Sequence, residues 1–245
     1  MPFTWTLRLA PAWLATTALL LVVYLLWDRR AYAREAKADL SRDRAEVRPL
    51  RVAGKENLVL LGGIVAAAAF LAAPWREAAM VGLAALSFAS AGPELRRANQ
   101  FSFAPILEVA ALFAGIFLTM LPALDLLRAR GAGLGVREPW QFFWAAGALS
   151  SFLDNAPTYL TFLALAQGLD LPPEVVGVSH RVLVAISLGA VFMGANTYIG
   201  NGPNFMVRAI AESRGVRMPS FGGYMIYSLL VLIPTFVLVT LVFFP

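Results

Sequence analysis

Long apolar runs separated by short polar stretches organise the chain. The first run, residues 10–27, carries no charged side chain and ends at Asp28-Arg29-Arg30. It is close to the ~20 apolar residues that a straight transmembrane helix needs. A cleaved secretory signal with Arg8 as its basic flank is the alternative. We expect a retained helix, because no small-residue cleavage motif follows the run and many further apolar runs do.

A polar stretch, residues 28–57, comes next and contains nine Lys or Arg and six Asp or Glu. Much of it favours helix by intrinsic propensity. We interpret it as a solvated basic connector without a binding role. The chain is thus expected to divide into residues 1–57, a leading helix with its connector, and residues 58–245, a membrane-embedded body.

The apolar runs of the body differ in length and continuity. Two of them are shorter than a straight span, a third is long enough to cross while tilted, two are interrupted by polar residues, and the last closes the chain. This pattern predicts an all-α polytopic membrane protein with about five membrane-crossing helices, one of them broken, plus one re-entrant helical hairpin. In order, the runs cover residues 58–73, 78–91, 101–127, 140–168, 181–207 and 221–244.

The first interrupted run, residues 140–168, has apolar arms on either side of Ser150-Ser151 and Asp154-Asn155-Ala156-Pro157-Thr158. An arm of about 13 residues makes roughly 20 Å of helix, which is too short to cross a bilayer. Pro157 interrupts a continuous helix, and Asp154 or Asn155 can cap the second arm. The pattern is typical of a hairpin whose tip lies inside the bilayer.

The second interrupted run, residues 181–207, contains the sequence Gly200-Asn201-Gly202-Pro203, which a continuous helix does not accommodate. Unpaired backbone groups cost several kcal/mol each in lipid, so such a break has to be buried in protein or line a polar cavity. Secondary transporters build ion and substrate sites from broken helices of this kind. Ordinary loops between spans are the alternative, but both interruptions lie between apolar arms and lack Lys and Arg.

Composition narrows the class of protein. Of the 245 residues, 59% are apolar and 14% are charged, against about 25% charged in a typical soluble chain. This excludes a disordered chain, a nucleic-acid-binding arm and an ordinary soluble enzyme. There is no cysteine, and His180 is the single histidine, so thiolate chemistry and histidine clusters are excluded. We expect no enzyme activity, no cofactor and no nucleic-acid partner.

Charge gives a preferred orientation. With the hairpin entering and leaving on one side, residues 28–57, 92–100 and 208–217 together hold 14 Lys or Arg, and the opposite side holds six. The positive-inside rule then places the connector 28–57 in the cytoplasm.

Three segments carry a family resemblance: SSFLDNAPTYLTF from Ser150, GAVFMGANTYIGNGPNFM from Gly189 and FAPILEVAALFAGIFLTMLPAL from Phe103. They resemble the C-terminal half of bacterial sodium/proton antiporters of the NhaD and citrate-transporter-like group, in the ion transporter superfamily. The resemblance runs from about residue 58 to 245. It implies one of the two inverted repeats of that fold, each with a re-entrant hairpin and a broken helix, in an inner membrane. Members are about twice as long, so a missing N-terminal half or a homo-oligomer would complete the protein.

The strongest candidate residue is Asp154, because an ionisable group in a membrane-embedded break is a functional hypothesis by default. Its carboxylate can bind Na⁺ or H⁺ in competition, and helix capping is compatible with that role. Glu108 is a second candidate for proton coupling, about 10 Å into its helix, although snorkelling or pairing with an arginine explains it better.

Further residues form the expected binding faces. Asn155 and Thr158 resemble the hairpin-tip ligands of the family, and Na⁺ is expected at Asp154 and Asn155. Side-chain oxygens and freed carbonyls suit a hard cation, whereas half-helix N-termini suit an anion. Turn formation is an equally good explanation of the asparagines in the second break. The opposing face comprises Asn196, Thr197, Asn201 and Asn204, with backbone breaks at Pro157, Gly200, Gly202 and Pro203.

Three functions remain open. The leading hypothesis is a secondary carrier for Na⁺/H⁺ antiport, motivated by Asp154 and the resemblance. The second is a carrier of citrate or another carboxylate, although no intramembrane Lys or Arg is placed to neutralise the anion. The third is a non-transporting fragment or partner subunit, motivated by the missing half. The lipid bilayer and a small ion or carboxylate are the expected partners.

Overall fold

The computed structural model describes residues 3–35, 53–99, 101–169, 174–213 and 215–245. Over these ranges the chain is all-helical, apart from an isolated bridge between Val175 and Val178, which confirms the predicted fold class at this level. Residues 36–52 of the connector and the side chain of Glu108 lie outside the description.

Apart from the short helix Pro93–Ala98, which lies between two predicted runs, the helices follow the predicted apolar runs to within six residues. Short 3₁₀ segments cover Phe3–Leu9, Gly131–Leu134 and Met193–Asn196, and the last helix contains a π-helical turn at Ser228–Leu232. In order, the helices are α1 (Ala10–Tyr32), α2 (Glu56–Phe70), α3 (Trp75–Ser90), α4 (Pro93–Ala98), α5 (Ala104–Arg130), α6 (Pro139–Ser150), α7 (Asn155–Gln167), α8 (His180–Phe192), α9 (Gly202–Ser213) and α10 (Phe221–Phe243).

Two helical stretches are long and apolar enough to cross a membrane, Thr4–Tyr32 and Phe221–Phe243. The criterion is length and composition alone, applied to the described residues. It supports a membrane protein, and the predicted number of crossings stays a prediction.

The contacts divide the chain into two compact units. The first comprises Met1–Arg8 and Tyr24–Val109, and the second comprises Leu9–Val23 and Ala110–Pro245. The division predicted between residues 57 and 58 stays a prediction.

In the first unit, α2 and α3 pack against each other. Ser87 near the end of α3 donates a hydrogen bond to Asn57 Oδ1 at the start of α2, at 2.8 Å, and Leu83 covers Gly63. The two helices therefore run antiparallel. With 15 and 16 residues, each is roughly 22–24 Å long, shorter than the ~30 Å hydrocarbon core of a bilayer.

The core of the second unit lies between α6 and α8, which make the most extensive helix contact in the described chain. Phe142, Phe143 and Ala146 on α6 are completely buried. The close approach depends on Gly189 of α8, where an added Cβ atom would overlap the carbonyl oxygen of Phe143. α7 packs on α8 as well, and Phe236 of α10 contacts Phe143 edge-on with ring centroids 6.3 Å apart.

We expect Gly189→Ala to lower the free energy of unfolding by about 1–3 kcal/mol, because the new methyl group forces α6 and α8 apart. Gly115→Ala is the matched control: this helical glycine of the same unit has open space at its Cβ position, and alanine there gains up to ~1 kcal/mol of helix propensity. Thermal unfolding in detergent, followed by circular dichroism, measures both. Equal melting temperatures would contradict the proposed close packing.

Candidate functional site

The first break joins α6 to α7 through residues 151–154. Asp154 is the N-cap of α7: its Oδ1 accepts the N–H of Asn155 at 2.6 Å, and its carbonyl accepts the N–H of Thr158 at 3.3 Å. Pro157, the third residue of α7, fits there because an N–H in the first turn has no partner within the helix. Capping by Asp154, expected from the sequence, is thus present.

The second break runs from the 3₁₀ turn at Met193–Asn196 through Thr197 to the start of α9 at Gly202. Thr197 has an extended backbone and a buried side chain. Its hydroxyl donates to the carbonyl of Ser151 in the first break and accepts from the N–H of Gly200 at 3.0 Å. One side chain therefore satisfies backbone groups of both breaks.

Ser150 and Ser151 add further contacts of the hairpin tip, Ser150 to α8 and Ser151 to the second break. The Ser150 hydroxyl lies within hydrogen-bond distance of the Ala190 carbonyl on α8 and, at 3.0 Å, of Asn155 Oδ1. The Ser151 hydroxyl lies 3.0 Å from the Met193 carbonyl and accepts from Asn196 Nδ2, also at 3.0 Å. These bonds hold the hairpin tip against the break.

Asn204, in the first turn of α9, closes the second break on itself. Its Nδ2 donates to the carbonyl of Gly194 at 3.0 Å and to the carbonyl of Thr197 at 3.1 Å. Asn201 contributes its carbonyl, which accepts the N–H of Asn204. These bonds match the turn-forming role that the sequence left open for the asparagines.

Oxygen atoms converge around Gly194 and Gly200. A Cβ atom at Gly200 would lie 2.6–2.8 Å from the carbonyl oxygens of Gly194, Ser150 and Ser151. A Cβ atom at Gly194 would lie 3.0 Å from the Gly200 carbonyl and would also crowd Asn155 Oδ1. We call these five atoms, the carbonyl oxygens of Ser150, Ser151, Gly194 and Gly200 together with Asn155 Oδ1, the oxygen cluster.

Two more side-chain oxygens belong to residues in the second break and in α7, just after the first break. Thr158 Oγ1 and Asn196 Oδ1 are buried and have no hydrogen-bond partner among the described residues. A buried polar atom without a partner costs about 1–3 kcal/mol, so these two atoms have bonding capacity for a ligand. Neutral oxygens of this kind suit a hard cation such as Na⁺, by the preference that Ca²⁺ and Mg²⁺ show.

Among the predicted site residues, the structure brings Asn155, Asn196, Thr197 and Asn204 together. Asp154 borders them as a helix cap, and Glu108 lies outside the description. Sequence reasoning used Ser150 and Ser151 only to mark the break and missed their bonding role. The sequence signal that could have indicated this role is their position, directly at the end of the first apolar arm.

The charges around the two breaks are sparse. The hydrogen bonds given above join neutral groups, apart from those to Asp154. A described cation on these elements, the Arg208 guanidinium of α9, lies over the Tyr198 ring, 4.6 Å from its centroid. The described residues form no group of three His, Cys, Asp or Glu side chains that could hold a metal ion. The hydrogen-bonding groups given above for the two breaks are therefore mainly neutral oxygen and amide dipoles.

Comparison with known proteins identifies a family. A family model, CitMHS_2, described as "Putative citrate transport", matches residues 1–244. Comparisons with curated proteins and with solved structures gave no significant match.

We expect Thr197→Val to lower the free energy of unfolding by about 1–3 kcal/mol, since valine keeps the shape and leaves buried backbone groups unpaired. Thr197→Ser, which keeps the hydroxyl, should lose clearly less. Thr119→Val is the control, because this exposed hydroxyl bonds only within its own helix, to Gly115 and Ile116. The measurement is thermal unfolding in detergent. A Thr197→Val protein with the same melting temperature as the Thr119→Val control would contradict the central role of Thr197.

Proposed function

Because the chain belongs to the CitMHS_2 family, described as "Putative citrate transport", we propose that it is a transporter, not an enzyme, and that it carries citrate or a related carboxylate across the membrane. The observation that carries the proposal is the meeting of two interrupted helical segments at one cluster of neutral oxygens. Broken helices with backbone groups turned to a common site are the usual architecture of secondary transporters.

The proposed placement is in the inner membrane of a bacterium, with several crossings and the connector 28–57 in the cytoplasm. Two helices of spanning length and the basic composition of the connector support this placement. The pairing of buried backbone groups by Ser151, Thr197 and Asn204 supports a location of both breaks at membrane depth, where water is not at hand.

A bound cation completes the proposed substrate site. Citrate carries several negative charges, and the carbonyl oxygens of the cluster present the negative ends of their dipoles. A Na⁺ ion held by the oxygen cluster supplies the missing positive charge. Thr158 Oγ1 and Asn196 Oδ1 are proposed as further ligands of this ion. Half-helix N-termini at Asn155 and Gly202 favour the carboxylates. We therefore propose cation-coupled carboxylate transport.

Antiport of Na⁺ against H⁺ is the competing proposal, and Asp154 is the observation that favours it. The structure gives its carboxylate a capping role, which needs no proton exchange. The family match favours citrate over antiport. A non-transporting partner subunit is the remaining alternative.

The test is uptake of radiolabelled citrate by liposomes that contain the purified full chain, with an inward Na⁺ gradient or with K⁺ in its place. We expect uptake that requires Na⁺. Gly200→Ala should reduce the initial rate about tenfold or more, because its Cβ atom displaces three carbonyl oxygens of the cluster. Gly222→Ala, with open space at its Cβ position, should stay within about twofold of the wild type.

Two outcomes would overturn the citrate proposal, and a third would overturn the role given to the oxygen cluster. Na⁺-driven proton movement without citrate uptake would establish antiport. The absence of both citrate uptake and Na⁺-driven proton movement would favour a non-transporting subunit. Equal uptake by the Gly200→Ala and Gly222→Ala proteins would remove the oxygen cluster from the transport cycle.

Asp154→Asn separates the two transport proposals. Asparagine caps helices about as well as aspartate, so α7 should keep its start and the protein its fold. Antiport at this residue needs a carboxyl group that binds and releases a proton, and the variant would abolish it. Citrate transport through the oxygen cluster should retain Na⁺-dependent uptake. A pH-sensitive dye reports proton movement and labelled citrate reports uptake, both on the same liposomes. Loss of citrate uptake in the folded variant would contradict this expectation and would make the Asp154 carboxylate part of the transport cycle.

A further inference from the structure

The C-terminal helix α10 reaches the second break with two hydroxyl groups. The Tyr224 hydroxyl donates to the carbonyl oxygen of Ala195 at 2.9 Å. The Ser228 hydroxyl lies 2.7 Å from the carbonyl oxygen of Asn196, the next residue of the same turn. Two consecutive carbonyls at the end of the 3₁₀ turn are thus held from outside the break.

Helix geometry explains why both hydroxyls reach the same turn. Tyr224 and Ser228 are four residues apart, so their side chains lie on one face of α10. Ser228 begins the π-helical turn Ser228–Leu232 and is buried, and its hydroxyl lies 3.2 Å from the Tyr224 carbonyl. Single π turns inside α-helices are frequent at functional sites.

An aromatic pair fixes the orientation of the Tyr224 ring. Tyr198, in the second break, stacks on Tyr224 with ring centroids 4.2 Å apart and an interplanar angle of 28°. The Tyr198 hydroxyl donates to the Pro219 carbonyl at 3.1 Å, and Arg208 covers its ring from α9. The hydroxyl of Tyr224 therefore meets Ala195 with little freedom.

These contacts restrain Asn196 from two directions. Ser228 binds its carbonyl oxygen, and Ser151 binds its side-chain Nδ2. The remaining polar atom of the side chain, the buried Oδ1, has no partner among the described residues. The backbone of Asn196 and one end of its amide are thus set by α10 and by the hairpin tip, which fixes where Oδ1 lies.

We propose that Tyr224 and Ser228 are positioning residues that set the cation affinity of the site by holding the carbonyls of Ala195 and Asn196. The inference rests on the proposed cation-coupled function. Neither hydroxyl need touch the ion. Both keep the turn that bears Gly194 and Asn196 in the geometry that a cation binds, so their loss weakens binding and leaves the path for the carboxylate intact.

The test compares the Tyr224→Phe and Ser228→Ala proteins with the wild type in two assays. The first is the Na⁺ concentration that gives half-maximal citrate uptake in liposomes. The second is the Na⁺ concentration that gives half of the rise in melting temperature in detergent without citrate. We expect each variant to need about three- to tenfold more Na⁺ in both assays, as the loss of one hydrogen bond implies. The maximal uptake rate should stay within about twofold of the wild type.

Matched variants separate positioning from simple stabilisation. Ser228→Thr keeps the hydroxyl and should restore the wild-type Na⁺ requirement. Thr235→Val removes a buried hydroxyl that bonds to the Val231 carbonyl of α10 itself, at 2.8 Å, and should leave that requirement unchanged.

Unchanged Na⁺ requirements in both variants would overturn the inference, as would loss of folding in both, which would assign the hydroxyls to stability. A change in the Thr235→Val control equal to that in Ser228→Ala would overturn it too. Failure of the proposed function has a different signature: the wild type then takes up no citrate, while the melting assay still measures its Na⁺ affinity.

Discussion

The second unit depends on one constraint: helix ends that meet away from water must pair their backbone groups within the protein. Each α-helix leaves four N–H or four C=O groups unpaired at an end, and four ends meet at the two breaks, those of α6, α7, α8 and α9. Thr197 pairs several of these groups with one side chain. Its hydroxyl donates to a carbonyl of the first break and accepts from two amide groups of the second. The serines and Asn204 add further pairing, and the hydrogen bonds of Thr197 and Asn204 hold two carbonyls of the oxygen cluster, those of Ser151 and Gly194.

Close helix packing brings the breaks together. Gly189 lets α8 approach the backbone of α6, and Gly147 receives the side chain of Met193. A larger residue at either glycine would separate the helices, and then the serines at the end of α6 could not reach Ala190 and Met193. The chemistry of the site is therefore set by small residues one or two turns away from it, in the apolar core.

Local sequence signals predicted the breaks but could not predict the bonds between them. Pro157 and the Gly200–Pro203 segment interrupt a helix wherever they occur, and their apolar flanks indicated burial, so the positions of the hairpin and the broken helix were accessible. Ser151, Thr197 and Tyr224 carry no such signal, because their roles depend on partners 29–46 residues away along the chain. Asp154 is a different case. The sequence allowed this residue both to cap α7 and to bind an ion, and the structure describes only the capping.

In the proposed transporter, the neutrality of the site dictates an order of binding. A cation meets oxygen dipoles that the hydrogen-bond network already holds in place, so its binding needs little reorganisation. A carboxylate that arrives first finds the half-helix N-termini at Asn155 and Gly202, but it also meets the negative ends of the cluster's dipoles, with no described Lys or Arg among the hydrogen bonds of the breaks to offset them. The cation must then bind first, and by linkage the carboxylate raises the affinity for the cation as much as the cation raises the affinity for the carboxylate. In this proposal, coupling between ion and substrate comes from the positive charge that the cation brings to these dipoles, whereas an arginine in their place would bind the anion without the ion and uncouple the two.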